Sequence, residues 1–157
     1  NPVSVQLLVN GGFEGSSSPW VLSTFTWTGT GSFPHSGAGY ILFGSSVTSS
    51  GTAFQQITIP ASPAKSLTFW LNVTSSETTT TTQFDRLFIE VRNTSGTLLG
   101  TLATFSNLDK AASGSTYTLR GPFSLTAWAG QTVRIQFRGT TDSSLLTTFR
   151  IDDASVQ

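Results

Sequence analysis

The sequence predicts an all-β fold, an antiparallel β-sandwich with two sheets of about four to five strands. About ten short apolar stretches recur at intervals of roughly ten residues, and Gly, Ser, Thr and Pro separate them. Within the clearest stretches apolar and polar residues alternate, as they do in a strand with one buried face. No apolar period typical of a helix extends beyond two turns.

The composition sets the size and the class of the protein. A chain of 157 residues is the size of one domain and can bury a good core, so we interpret residues 1–157 as a single domain. Charged residues make up only 10% and the net charge is zero, which argues against a strongly basic surface for nucleic acid or an anionic membrane. The chain has no cysteine, which excludes disulfides and thiol chemistry.

The composition also indicates in which cellular compartment the protein occurs. No apolar run approaches the ~18 residues of a membrane span, and the sequence shows no signal-peptide pattern. The Thr- and Ser-rich, Lys-poor composition favours a secreted, extracellular protein. The abrupt start at Asn-Pro suggests a module excised from a larger secreted polypeptide, with a parent catalytic domain in the same chain.

The first part of the chain predicts short strands broken by turns. Apolar and aromatic residues predict strands at 7–9, 20–22, 25–27, 40–43 and 54–59. Gly11 and Gly12 permit a tight turn after the first of these strands, because glycine tolerates positive φ angles. The sequence TGTGS ends the third strand, the loop 34–39 precedes the fourth, and Pro60 closes the fifth.

The middle of the chain has the clearest alternation. The segment KSLTFWLNV (65–73) turns Trp70 and Asn72 outward, and FDRLFIEVRN (84–93) turns Phe88, Glu90 and Arg92 outward. The residues predicted to face inward in these two segments are Leu67, Phe69, Leu71, Val73, Leu87, Ile89 and Val91. Both segments therefore predict strands with one apolar face.

Four further strands are predicted after the turn at 93–96. They are TLLGTLATF (97–105), residues 117–123, TVRIQFRG (132–139) and the last stretch, 147–157. In TVRIQFRG, the residues Arg134, Gln136 and Arg138 are predicted to face outward, opposite to Val133, Ile135 and Phe137.

Asp152 and Asp153 stand side by side in the last predicted strand, although the chain has only eight acidic residues. A buried carboxylate without a partner is costly, and a cation or several hydrogen bonds are the usual remedies. Asn10 and Glu14 flank the Gly-Gly turn at the other end of the chain, and carboxylate and carbonyl oxygens suit Ca²⁺. We therefore predict that the terminal strands pair and share a structural Ca²⁺ held by Asn10, Glu14, Asp152 and Asp153. The alternative is that these acids cap turns or pair with Arg150.

A second acidic group is formed by Glu77, Asp85 and Asp142, which lie at the ends of predicted strands. If these strand ends lie together, the three carboxylates can hold a second cation or the polar head of a ligand. The alternative is that they cap loops and pair with Arg86. We favour that alternative.

Four motifs carry a family resemblance: LLVNGGFEG, SGAGYILFG, AGQTVRIQFRG and FRIDDASV occur in this order. With them the chain resembles calcium-containing jelly-roll carbohydrate-binding modules, attached to xylanases and cellulases, of the galactose-binding-like superfamily. Through ETTTTTQFDRLFIEVRN and RGTTDSSLLTTFRIDD it also resembles C-terminal jelly-roll modules of secreted bacterial peptidases. The resemblance covers nearly the whole chain. It implies a jelly roll and a structural calcium site to which the loop 34–37 contributes.

The resemblance also implies that a glycan binds on a concave sheet face. Trp70 and Phe88 are the aromatic candidates, because a flat ring suits the apolar face of a pyranose. The predicted ligand-binding residues are Trp70, Asn72, Phe88, Glu90, Arg92, Arg134, Gln136 and Arg138. One alternative is a solvated sheet face with cross-strand Arg–Glu pairs. Another is an accessory or interaction module that stabilises or targets a secreted peptidase without binding sugar.

The residues of the sequence argue against catalysis. His35 is the sole histidine, there is no cysteine, and no GxSxG motif occurs, so a nucleophile–histidine triad has little support. We expect His35 to be a surface residue. Glu90 or Glu77 opposite an aspartate would meet the formal need of a glycosidase, but carboxylates among arginines are poor general acids. We predict a non-catalytic module.

Overall fold

A computed structural model describes residues 5–113 and 115–157, and within them it has ten strands in two antiparallel sheets, as the sequence predicts. The strands are β1 (Val21–Ser23), β2 (Thr26–Thr28), β3 (Tyr40–Ser45), β4 (Ser49–Thr58), β5 (Ser66–Ser75), β6 (Arg86–Arg92), β7 (Leu98–Ser106), β8 (Thr118–Ser124), β9 (Thr132–Thr141) and β10 (Thr147–Val156). Short 3-10 helices lie at Asn107–Asp109 and Thr126–Trp128. In this described part of the chain, no helix is long and apolar enough to cross a membrane.

The two sheets have five strands each. One has the order β1-β4-β9-β6-β7 and is called the β9 sheet; the other has the order β2-β3-β10-β5-β8 and is called the β10 sheet. Each is named after its central strand. Strands that follow one another along the chain often lie in different sheets, such as β5 and β6, and this connectivity is typical of a jelly roll.

The hydrophobic core lies between the sheets. Phe69 of β5 and Phe137 of β9 meet across it with ring centroids 5.2 Å apart, and Trp20 lies 5.9 Å from Phe137. All residues predicted to face inward on β5, β6 and β9 are buried, so the predicted inward faces of these strands are confirmed. Burial of each such large side chain contributes about 1.5–3 kcal/mol, which makes this layer the main source of stability.

The two ends of the described chain lie side by side. The Leu7 main-chain N–H donates to the Val156 carbonyl at 3.0 Å, and the Ala154 N–H donates to the Gly11 carbonyl at 3.0 Å. The predicted adjacency of the terminal segments is therefore confirmed. The predicted strand at 7–9 is not a regular strand, because the main-chain N–H groups of Leu8 and Val9 donate to the side chains of Gln6 and Gln55 and not to a neighbouring strand.

Candidate functional site

The predicted ligand-binding residues do not share one face. Trp70 and Asn72 lie on β5 in the β10 sheet, whereas the other six lie on β6 and β9 in the β9 sheet. The outer faces of a two-sheet sandwich point in opposite directions. The predicted single site is therefore wrong. Alternation tells which residues leave the core, but it does not tell to which sheet a strand belongs.

Glu90 forms the centre of the outer face of the β9 sheet. It lies opposite Gln136, and the pairs Phe88–Arg138 and Arg92–Arg134 flank it on β6 and β9. Although it points away from the core, the Glu90 side chain is fully buried, because neighbouring side chains cover it.

The Glu90 carboxylate accepts hydrogen bonds from three side chains. Arg92 donates from Nε and Nη2 at 3.0 and 2.9 Å, Arg138 donates from Nη2 at 3.1 Å, and Gln136 donates from Nε2 at 3.2 Å. Hydrogen bonds between charged groups are stronger than neutral ones. The Arg–Glu pairs expected of a plain sheet face are thus present, but their centre is buried rather than solvated.

Two arginine–phenylalanine stacks lie on either side of this centre. The guanidinium carbon of Arg138 lies 4.0 Å from the ring centroid of Phe88, and that of Arg134 lies 4.4 Å from the centroid of Phe54. A guanidinium over an aromatic ring is attracted by the ring's quadrupole. Each stack therefore places a guanidinium group over an aromatic ring at the surface.

Phe54 and Gln56 of β4 belong to this face and were not predicted. Phe54 pairs with Gln136, and Gln56 pairs with Arg134. The segment FQQITI contains the information that could have predicted them. Ile57 and Ile59 are buried on one face of the strand, so Phe54 and Gln56, which alternate with them, must point outward. That signal does not tell which strand lies next to β4.

We call this surface the arginine face. It consists of Phe54, Gln56, Phe88, Glu90, Arg92, Arg134, Gln136 and Arg138. Its aromatic rings and arginine side chains are partly exposed, with 31% exposure for the Arg138 side chain and 20% for that of Arg92. The face therefore offers flat apolar area and many N–H donors to a ligand, and its carboxylate is already hydrogen-bonded within the protein.

On the opposite side of the sandwich, Trp70 and Asn72 are covered. The His35 ring stacks on the Trp70 indole with centroids 3.9 Å apart and an interplanar angle of 16°. Asn72 is fully buried, and its Nδ2 donates to the Ser113 and Thr116 carbonyls at 3.0 and 2.8 Å. Trp70 is consequently a half-buried support for a loop and not the exposed aromatic residue that the sequence predicts.

The predicted metal ligands Asp152 and Asp153 hold that loop. The Asp152 Oδ2 accepts from the main-chain N–H groups of His35 and Ser36 at 2.9 and 3.2 Å. The Asp153 Oδ2 lies 2.6 Å from both His35 Nδ1 and Ser36 Oγ. Asp152 is fully buried, and this burial, reinforced by the charge of Asp153, raises its pKa to about 6. His35, which we expected to be a surface residue, is thus partly exposed but packs on Trp70 and contacts Asp153.

The other two predicted ligands meet the same loop. The Glu14 carboxylate accepts from the main-chain N–H groups of Ala38 and Gly39 at 3.1 Å, and Asn10 Oδ1 accepts from the Glu14 N–H at 2.9 Å. Glu14 and Asp152 thus receive main-chain N–H donors, as the capping alternative states. The predicted pairing with Arg150 is absent among the described residues, because Arg150 bonds Asn72 and Thr74.

The second acidic group is brought together as the sequence suggests. One carboxylate oxygen from each of Glu77, Asp85 and Asp142 lies within 4.8 Å of the others, so this group is able to hold a metal ion. Asp85 also accepts from the Asp142 N–H at 3.1 Å, and Glu77 accepts from the Ser144 hydroxyl at 3.1 Å. Within the described residues Arg86 forms no ion pair with them, so that part of the alternative is wrong.

Similarity to known proteins is confined to three-dimensional structure. No family model matches the chain, and no curated protein matches it. Among solved structures, the chain is similar to the carbohydrate-binding module TmCBM61 in complex with β-1,4-galactotriose, with a TM-score of 0.63 and 15% identity over 98% of this chain and 99% of that one.

Two further solved structures are similar. One is the CBM22-1 xylan-binding domain of Paenibacillus barcinonensis Xyn10C, with a TM-score of 0.58 and 8% identity over 98% of this chain and 94% of that one. The other is the K1 cleaved adhesin domain of Lys-gingipain from Porphyromonas gingivalis W83, with a TM-score of 0.52 and 12% identity over 89% and 90%. At these identities the similarities show the jelly-roll fold alone.

Proposed function

We propose that the chain is a non-catalytic carbohydrate-binding module that binds a polysaccharide or glycan on the arginine face. The observation that carries the proposal is the arrangement of two half-exposed Arg–Phe stacks on either side of the Glu90 network. The fold it shares with TmCBM61 and with the xylan-binding domain supports it, because those two proteins bind galactotriose and xylan.

The chemistry of the face suits a sugar. The rings of Phe54 and Phe88 and the guanidinium planes above them supply flat area for the C–H face of a pyranose. Arg138 and Arg92 supply N–H donors for its hydroxyl groups. Because Glu90 holds both guanidinium groups in place, these donors lose little conformational freedom when a glycan binds.

The same face is unsuited to glycoside hydrolysis. Hydrolysis by the usual mechanisms requires two carboxyl groups on either side of the scissile bond. In the part of the face that the structure describes, Glu90 is the one carboxylate, and its oxygens accept from Arg92, Arg138 and Gln136. We therefore assign binding without catalysis.

We further propose that residues 1–157 form one accessory domain of a larger secreted protein. Its proposed partners are a glycan and a parent catalytic domain, and we propose no nucleic-acid or membrane partner.

Phe88→Ala is expected to weaken glycan binding about 30-fold, because truncation of an aromatic anchor often costs about 2 kcal/mol. A glycan array or an affinity gel identifies the ligand of the wild type, and titration calorimetry gives the ratio of Kd values. Phe33→Ala is the matched control, since Phe33 is an exposed phenylalanine that lies against Arg150 on the other sheet. Loss of binding in Trp70→Ala but not in Phe88→Ala would contradict this assignment and place the site on the β10 sheet.

We also propose a structural Ca²⁺ at the terminal junction, held by Asn10, Glu14, Asp152 and Asp153. A cation there would neutralise the adjacent carboxylates, of which Asp152 is fully buried and has a raised pKa. Such an ion would fasten the loop 34–39 and the two terminal segments to each other. The group of Glu77, Asp85 and Asp142 is the other candidate position for a cation.

Removal of the metal is expected to lower the melting temperature, and Ca²⁺ is expected to restore it by mass action. Differential scanning calorimetry of chelated protein, with and without added Ca²⁺, measures the shift. Asp153→Asn should abolish the Ca²⁺-dependent part of the shift, and Asp142→Asn should leave it intact. The reverse pattern would move the ion to the Glu77 group. Identical melting curves after verified metal removal would refute a structural Ca²⁺.

The second candidate function is an interaction module of a secreted peptidase that binds no sugar. The similarity to the adhesin domain of Lys-gingipain favours it. A wild-type protein that binds none of the glycans on a broad array would select this candidate.

A further inference from the structure

The charges of the chain are strongly segregated, although they sum to zero. Four of the eight basic residues, Arg86, Arg92, Arg134 and Arg138, lie on the outer face of the β9 sheet, and Glu90 is the one acid there among the described strand residues. This face therefore carries a net charge of +3. Other acidic residues lie at the terminal junction and in the Glu77 group.

Two of these four guanidinium groups, those of Arg86 and Arg134, form no ion pair among the described residues. Arg92 and Arg138 are engaged by Glu90. Arg134 contacts the described chain through its stack on Phe54 and one long hydrogen bond of 3.5 Å from Nε to Gln56 Oε1, which leaves both terminal nitrogens without a hydrogen bond in that part of the chain. Arg86 is exposed at the end of the same face.

Fixed guanidinium groups with unused donors recognise oxyanions. A guanidinium presents parallel N–H groups that match a carboxylate or a sulfate with two hydrogen bonds. Packing on the Phe54 ring, with 4.4 Å between the guanidinium carbon and the ring centroid, restricts the Arg134 side chain, so less rotamer freedom is lost when such a pair forms. A neutral glycan would leave the net positive charge of this face unmatched. A polyanion matches this charge and is also attracted to the face from a distance.

We propose that the ligand of the arginine face is an anionic polysaccharide, whose uronate carboxylates or sulfate esters pair with Arg134 and its neighbours. The inference rests on the proposed function, because it names the class of glycan for the same site. The Arg–Phe stacks bind the sugar ring, and the unused guanidinium donors bind its charged substituent. The charge complementarity of the face selects this occupant over a neutral chain.

The experiment compares pairs of polymers that share a sugar backbone and differ in charge. The wild type should bind polygalacturonate at least 10-fold more tightly than the same polymer with its carboxyl groups methyl-esterified, as measured by calorimetry at fixed ionic strength. A second pair, dextran sulfate and dextran, tests whether sulfate esters are the anionic group that the face binds. Higher salt should weaken binding of the charged polymers, since dissolved ions screen the attraction between exposed charges.

Arg134→Gln should reduce the ratio of charged to uncharged affinity several-fold, and Lys110→Gln removes the same charge away from the face and should leave the ratio unchanged. A wild type that binds charged and neutral polymers equally would overturn this inference while the proposed function stands. A wild type that binds no polysaccharide would overturn both. Equal binding of duplex DNA with the same salt dependence would show a non-specific polyanion surface and would also overturn it.

Discussion

Phe137→Ala is expected to lower the free energy of unfolding by about 3–5 kcal/mol, the usual cost of deleting a buried phenylalanine. Phe137 is fully buried at the centre of β9. Its ring contacts Phe69 of the opposite sheet at 5.2 Å and Trp20 at 5.9 Å, so the truncation leaves a cavity that both sheets border. Urea denaturation of the variant and the wild type, followed by tryptophan fluorescence, measures the difference.

Phe88→Ala is the matched control on the neighbouring strand. Phe88 lies on β6 next to Ile89, which pairs with Phe137, but its half-exposed ring points to the outer face. This substitution should cost less than ~1 kcal/mol of stability, the range for a lost exposed cation–π contact, while it weakens glycan binding. Equal destabilisation by the two substitutions would mean that the inner and outer faces of the β9 sheet are wrongly assigned.

Gly11→Ala is expected to cost on the order of 3 kcal/mol, among the larger effects of a single substitution. A Cβ on Gly11 would lie 1.9 Å from the Ala154 carbonyl oxygen, a main-chain atom that cannot move aside alone. The same two residues share one of the two main-chain hydrogen bonds that join the terminal segments. The variant should therefore lose this junction, and hydrogen exchange at Ala154 should become faster.

Gly12→Ala is the control from the same turn. Its Cβ would lie 3.2 Å from Asp153 Oδ1, an atom of a side chain that can rotate. We expect a change within about 1 kcal/mol, because Ala also restricts the unfolded chain. Melting temperatures of the two variants provide the comparison. If Gly11→Ala has the same melting temperature as the wild type, the close approach of the terminal segments is not required for stability.

The sequence predicts the strands well because alternation is a local property. Leu67 to Val73 and Val133 to Phe137 are buried at every second position, as their apolar pattern indicates. The grouping of Trp70 with Phe88 failed because membership of a sheet depends on pairing between distant segments. Trp70 pairs with Asp152 and Leu119, and Phe88 pairs with Arg138 and Thr104.

The loop that contains His35 shows a second limit. Its approach to the Asp152–Asp153 pair was expected from the family resemblance, but the stacking of His35 on Trp70 was not. A lone histidine in a Pro-His-Ser loop carries no local sign of its partner. The contact arises because Asp152 lies opposite Trp70 in the sheet, so that one loop reaches both.

The central position of β10 has a consequence for synthesis. β10 lies between β3 and β5 and pairs with both, yet it follows both along the chain. Until the ribosome has made β10, β3 and β5 each present an unpaired edge that can associate with other chains. The β10 sheet can close only after Val156 has emerged, so folding of this domain is completed at the end of its translation and, with such distant pairings, at a slow rate.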